Sequence, residues 1–97
     1  MRVAVDAMGG DHGPAVIVSG AVAAARHPDV GVTLVGASGE LSAELARHPD
    51  ASRLDILVEH AADAVGMGDR PAEAIRRRPQ SSIRVAADLV ARGAADA

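Results

Sequence analysis

Two stretches of the 97-residue chain concentrate residue types that bind anions. The first is Val3-Ala4-Val5-Asp6-Ala7-Met8-Gly9-Gly10-Asp11-His12-Gly13-Pro14. It reads as a short buried strand that Asp6 ends, followed by a loop opening a helix. Gly9, Gly10 and Gly13 lack a Cβ where the backbone must turn or approach a ligand, and Pro14 suits a first helical turn. Such a helix start aims free N–H groups and the positive dipole end at whatever lies above the strand. The second stretch is Arg76-Arg77-Arg78-Pro79-Gln80-Ser81-Ser82. Its guanidinium forks, hydroxyls and helix-start amides are all anion donors. A plainer reading stands beside this one. Glu73 precedes Arg76 by three and Arg77 by four, a spacing for surface ion pairs, and either serine can cap a helix.

The carboxylates of Asp6 and Asp11 are read as loop-shaping, accepting backbone N–H bonds beside the glycine turn. A hard-cation cage would need more oxygen ligands than this loop has, so no metal is expected. His60 lies at the carboxyl end of a strand, where a donor could reach a substrate oxygen. His12 reads as a solvated loop residue. His27 and His48 each precede a proline at a helix end, where they suit the dipole. Neither the G-x-x-x-x-G-K-[ST] phosphate loop nor the G-x-G-x-x-G dinucleotide fingerprint occurs, and the chain has no lysine.

Composition narrows the function classes. A net charge of −3 and the absence of aromatic residues argue against nucleic-acid binding, which needs a basic footprint and stacking platforms. With no cysteine there is no disulfide frame, thiolate zinc site or cysteine nucleophile in this stretch, and a reducing cytoplasm fits. The longest uncharged run, Gly13 to Ala25, is thirteen residues. A spanning helix needs roughly 20, and no export signal precedes the run. An apolar share of 48% is enough for one small core.

The elements alternate. Strands are expected at Val3–Asp6, Val32–Val35 and Leu54–His60. Helices are expected at Pro14–Arg26, at Gly39 to about His48 capped by Ser38, in a short piece between Asp69 and Pro79, and after Ser81 or Ser82. In the last helix Ile83, Ala86, Ala87 and Val90 form an i, i+3, i+4, i+7 stripe that Arg92 and Gly93 close. Ala94–Ala97 reads as the start of a fourth strand. This order predicts an α/β fold: a mostly parallel sheet with right-handed crossover helices and a ligand rim outside the carboxyl ends of the strands. Asp6 to Gly10, Gly36 and His60 fall on that rim.

The string Asp6-Ala7-Met8-Gly9-Gly10-Asp11, followed by Pro14, resembles the opening of the bacterial phosphate acyltransferases of phospholipid synthesis, the PlsX family. Arg76, Arg78, Ser81 and Ser82 match a second segment of that family, in which an arginine, a basic run and a Ser-Ser pair precede a helix. Val35-Gly36, His60, Met67, Asp69 and Pro71 extend the likeness over the whole chain. One departure is Pro79, where relatives commonly carry a lysine.

The resemblance implies a three-layer, isopropylmalate-dehydrogenase-like fold, of which residues 1–97 are the N-terminal portion, cut at the start of the fourth strand. A Ser-Ala-Gly-Asn-Thr-Gly-Ala segment is expected next. It implies transfer of a fatty acyl group from acyl carrier protein to inorganic phosphate without a cofactor. Gly9, Gly10, Arg76, Arg78, Ser81 and Ser82 are then candidate substrate contacts, Asp6 and Asp11 shape the loop, and His60 is a weaker candidate. A homodimer is implied, cytoplasmic or peripheral at the inner membrane face, handing acyl phosphate to a membrane glycerol-3-phosphate acyltransferase. The alternatives are a nucleotide-binding or dehydrogenase-like half-domain, and a non-catalytic fragment that pairs through its exposed sheet edge.

Overall fold

The computed structural model describes residues 1–8, 13–61 and 81–97. They form β1 (Arg2–Asp6), α1 (Pro14–Ala25), β2 (Gly31–Gly36), α2 (Ser38–Leu45), a 3-10 turn (Ala51–Arg53), β3 (Ile56–His60) and α3 (Ser82–Ala91). The strands make a parallel sheet in the order β1-β2-β3, with Asp6 opposite Val35 and Gly36 opposite His60. All three carboxyl ends therefore lie on one rim.

β2 is buried along its whole length, as expected of a strand covered on both faces. Alternation along the strands divides the core in two. Val5, Val32, Leu34, Ile56 and Val58 face α1 and α2, meeting Val18, Ala21, Val22, Ala25 and Leu41. On the other face Ala4, Val35 and Ala61 meet Val85, Ala86, Leu89 and Ala95. Helices on both sides of one sheet give three layers.

The chain reverses direction at β1. From β1 it steps outward to β2 and β3 by way of α1 and α2. It then returns through α3, which packs on β1 and β2, and arrives on the far side of β1. There the Asp96 amide donates to the Arg2 carbonyl at 2.7 Å and the Ala4 amide to the Ala97 carbonyl at 2.7 Å, in the parallel sense. The Asp96 carboxylate also accepts the Arg2 amide, at 2.7 Å. Residues 94–97 are not a strand among the described elements, but their backbone bonds to β1 lie along the edge where the expected fourth strand would pair. Right-handed crossovers explain the layers, because a return in the opposite direction puts its helix on the opposite face.

The turn into that strand was legible. Gly93 has φ +79°, Ala94 donates to the Leu89 carbonyl at 2.8 Å, and Gly93 donates to that of Val90 at 3.1 Å. These are the two bonds of a Schellman C-terminus, and Gly93 supplies its left-handed residue.

Several local expectations are corrected. Ser38 is not a cap: it is the first residue of α2, Ala37 precedes it as N-cap, and no side chain caps that end. α2 ends at Leu45 rather than near His48, and the chain up to β3 tightens into turns and the 3-10 segment, so β3 begins at Ile56 rather than Leu54. The apolar stripe of α3 is displaced by one residue. Ala87 and Val90 are exposed, while Leu89 is buried with Val85 and Ala86 beside it. Alanine and valine at neighbouring positions make two stripes equally apolar in sequence, and contact with the sheet selects one. His27 does not serve the helix dipole, because its Nδ1 accepts the Asp29 amide at 3.2 Å in a turn after α1. The expected short helix between Asp69 and Pro79 lies outside the described residues.

Exposed ion pairs decorate the surface. Arg26 Nε donates to Asp50 Oδ2 at 2.8 Å, tying the end of α1 to the turn after α2. The hydrogen bond from Arg26 holds the Asp50 carboxyl below its ordinary range. A lowered folded pKa means that stability is gained above the ordinary carboxylate pKa and lost as pH falls through the folded value. We predict that Asp50→Asn reduces the acid dependence of stability and barely changes it at neutral pH in high salt, as expected of a solvent-screened pair. Denaturant melts of both forms between pH 3 and pH 7 check this.

Candidate functional site

Helix direction brings the candidate groups to the rim. α3 ends near the amino end of β1, where Asp96 pairs with Arg2, so the helix runs antiparallel to the strands. Ten helical residues span about 15 Å and five strand residues about 16 Å. Ser81 and Ser82 therefore stand over the carboxyl ends of β1 and β2. α1 reaches the same rim from the opposite face, beginning at Pro14 after the loop that leaves β1. Neither helix has an acidic residue in its first turn, so both positive dipole ends are uncompensated by their own side chains.

Backbone geometry supports a tight passage into α1. Gly13, its N-cap, has φ 76° and ψ −179°, a region open in practice only to glycine. Asp6 ends β1 with its Oδ1 accepting the Met8 amide at 3.0 Å, a local turn of the Asx type. Met8 then folds onto β2. A Cβ built on Gly36 would lie 2.6 Å from Met8 Cγ and 2.8 Å from Met8 Sδ. Gly36 is thus the seat for the residue that precedes the Gly9-Gly10 loop. Sequence reading placed Gly36 on the rim but not this contact, which joins residues far apart in the chain.

The serines differ. Ser81 is the N-cap of α3, its Oγ accepting the Arg84 amide at 3.3 Å. Ser82 is the first helical residue, fully buried, and its Oγ has no hydrogen-bond partner. It occupies the buried stripe with Val85, Ala86 and Leu89, a placement the sequence reading missed because that reading began the stripe at Ile83.

His60 is exposed at the end of β3, and its Nδ1 accepts the Ser38 amide at 3.2 Å. It thereby satisfies one of the orphan donors at the start of α2, which has no side-chain cap from its own segment. This bond ties β3 to α2. Gly9, Gly10, Asp11 and His12, with Met67, Asp69, Pro71, Arg76, Arg78 and Pro79, lie outside the described residues. Among the described residues no three His, Cys, Asp or Glu side chains gather as a metal site would require, and no helix is long and apolar enough to cross a membrane.

A model of the fatty acid synthesis protein family matches residues 1–97. The chain belongs to that family. It is 56% identical over 97 residues to a phosphate acyltransferase of Geobacter sulfurreducens, covering all of this chain and 28% of that protein. It is 53% identical over 97 residues to a phosphate acyltransferase of Geotalea daltonii, again covering 28% of the relative. To a phosphate acyltransferase of Geobacter sp. strain M21 it is 58% identical over 95 residues, 98% of this chain and 27% of that protein. The chain therefore spans just over a quarter of the length of these curated relatives.

Two glycines test the entry into α1. We predict that Gly13→Ala destabilises the fold by about 1–3 kcal/mol, the usual cost of forcing a side chain into that backbone region. Gly20→Ala, in mid-helix with nothing within 4 Å of the added Cβ, should stabilise it by about 0.4–1 kcal/mol. Urea unfolding of the two variants compares them directly.

Proposed function

We propose that these 97 residues form the N-terminal part of a larger α/β enzyme. That enzyme transfers a fatty acyl group from an acyl carrier protein thioester to inorganic phosphate. A phosphate oxygen attacks the thioester carbonyl, the C–S bond breaks, and the carrier thiol leaves with a proton, giving an acyl phosphate. The family assignment and the phosphate acyltransferase relatives support the reaction class. The single observation that carries the local part is the convergence of two helix N-termini on the rim where the chain reverses direction.

That rim is where ligands of open α/β sheets bind, in the crevice beside the topological switch point. Phosphate is an anion suited to free helix amides, and holding it against the thioester supplies the proximity the reaction needs. Direct attack by phosphate needs no enzyme nucleophile. On this reading Gly9 and Gly10 allow close backbone approach, Arg76, Arg78 and the Ser81-Ser82 pair are the candidates for substrate contact, and Asp6 and Asp11 shape the loop. Donors for the thioester oxyanion and the groove for the acyl chain belong to the rest of the enzyme. We further propose a homodimer, cytoplasmic or peripheral at the inner membrane face, that hands its product to a membrane glycerol-3-phosphate acyltransferase.

The decisive experiment replaces the matching segment of the Geobacter sulfurreducens phosphate acyltransferase with these 97 residues and assays acyl phosphate formation from acyl carrier protein thioester and phosphate. We expect an active chimera in which Gly10→Val abolishes turnover while Ala24→Val, in α1, is tolerated. A folded chimera with no activity, or equal losses that follow stability, would remove the reading. The 97 residues alone should show no activity and should self-associate on sedimentation at rising concentration. Among the described residues α3 covers β1 and β2 on its face, whereas Leu57 of β3 stays 55% exposed.

A further inference from the structure

The two serines that open α3 are in opposite states. The Ser81 hydroxyl is occupied as the helix cap, whereas the Ser82 hydroxyl is fully buried and unpartnered. An unpartnered hydroxyl in an apolar setting is unfavourable, and Ser82 shares its stripe with Val85, Ala86 and Leu89. Alanine would fill the same place with better helix propensity and no orphaned polar atom. A residue that breaks a local rule without compensation within the fold marks a position kept for something else.

Its direction indicates what that is. The Cα–Cβ bonds of a helix tilt toward its N-terminus, and Ser82 is the first helical residue, so its side chain starts toward the end of α3 where the Ser82 and Ile83 amides lack intrahelical acceptors. The Arg84 amide is already taken by Ser81. An unpartnered hydroxyl and two helix-start amides thus fall at one end of α3, which has no acid in its first turn. We propose that Ser82 is a binding residue whose hydroxyl donates to a tetrahedral oxyanion of the phosphate class seated on the N-terminus of α3, and that Ser81 serves only to start the helix. The choice of phosphate as the anion rests on the acyl-transfer reading above. The donor geometry does not.

The test titrates inorganic phosphate, with chloride holding ionic strength constant, into the chimera. Amide shifts of Ser82 and Ile83 and the thermal midpoint are followed. Phosphate should shift both amides while leaving Gly93, at the far end of the helix, unmoved, and should raise the midpoint through preferential binding to the folded state. In Ser82→Ala the midpoint without phosphate should be equal or higher, and phosphate affinity should fall about tenfold, the loss of one hydrogen bond to a charged group. Ser81→Ala should show the reverse pattern, a lower midpoint with smaller loss of affinity. Undiminished phosphate affinity in a folded Ser82→Ala protein overturns the proposal, as does a midpoint for that variant well below the parent, since Ser82 would then be a structural residue. If affinity falls as expected while acyl phosphate formation by the Ser82→Ala chimera is unchanged, the anion site stands and its assignment to acyl transfer fails.

Discussion

Everything described here depends on burying β2 from both sides. A parallel strand with six buried residues satisfies its backbone only through its two neighbours and hides its side chains only beneath two layers of helix. α1 and α2 supply one layer around Val32 and Leu34, and α3 supplies the other over Val35. Because crossovers between parallel strands are as a rule right-handed, a second layer goes with a chain that turns back across the sheet. That reversal leaves β1 between β2 and the 94–97 segment, reached in opposite directions. The location of the candidate site is thus a consequence of core formation, not a separate feature added to it.

The same geometry gathers polar backbone at one rim. Each helix that returns antiparallel to the strands begins where the strands end, so its unsatisfied amides accumulate there. The fold deals with these amides differently at each helix. His60 takes one from α2, and the Ser81 hydroxyl takes one from α3. α1 starts at Gly13 with no side-chain cap. At the opposite rim the charges are consumed by structure. Arg2 donates to Thr33 Oγ1 at 3.1 Å and pairs with Asp55, binding the starts of all three strands together, while Gly31 leaves room for that pair. Among the described residues the Arg2–Asp55 pair closes one end of the sheet, and helix-start donors gather at the other.

Much of this was present in the order of residues. Short β-branched runs separated by Gly, Pro and Ser announced a parallel α/β sheet, because strand and helix periodicities are local properties. Pro14 at a helix start, Gly93 after a helix end and the serine pair before Ile83 are likewise local signals, each legible without the rest of the fold. Ends of elements were less so. Ser38 has the right chemistry for a cap, yet the backbone turns one residue earlier and makes it helical. The α3 stripe was ambiguous for the same reason: Val85-Ala86-Ala87 offers apolar surface in several directions, and only the sheet beneath decides which is used.

What the sequence by itself determined was therefore the inventory: the elements, the glycine passage between β1 and α1, and the family to which both motif strings point. Tertiary structure alone decided the partnerships. Met8 on Gly36, the Ser38 amide on His60, and Asp96 beside Arg2 join residues 22 or more positions apart. No local pattern encodes such contacts, because they arise from strand order and crossover hand. The division between Ser81 and Ser82 is the sharpest case. As letters they are the same residue twice, but a rotation of about 100° per residue separates them on the helix. One hydroxyl turns back to close the first turn, and the other is buried at the start of the helix without a protein partner.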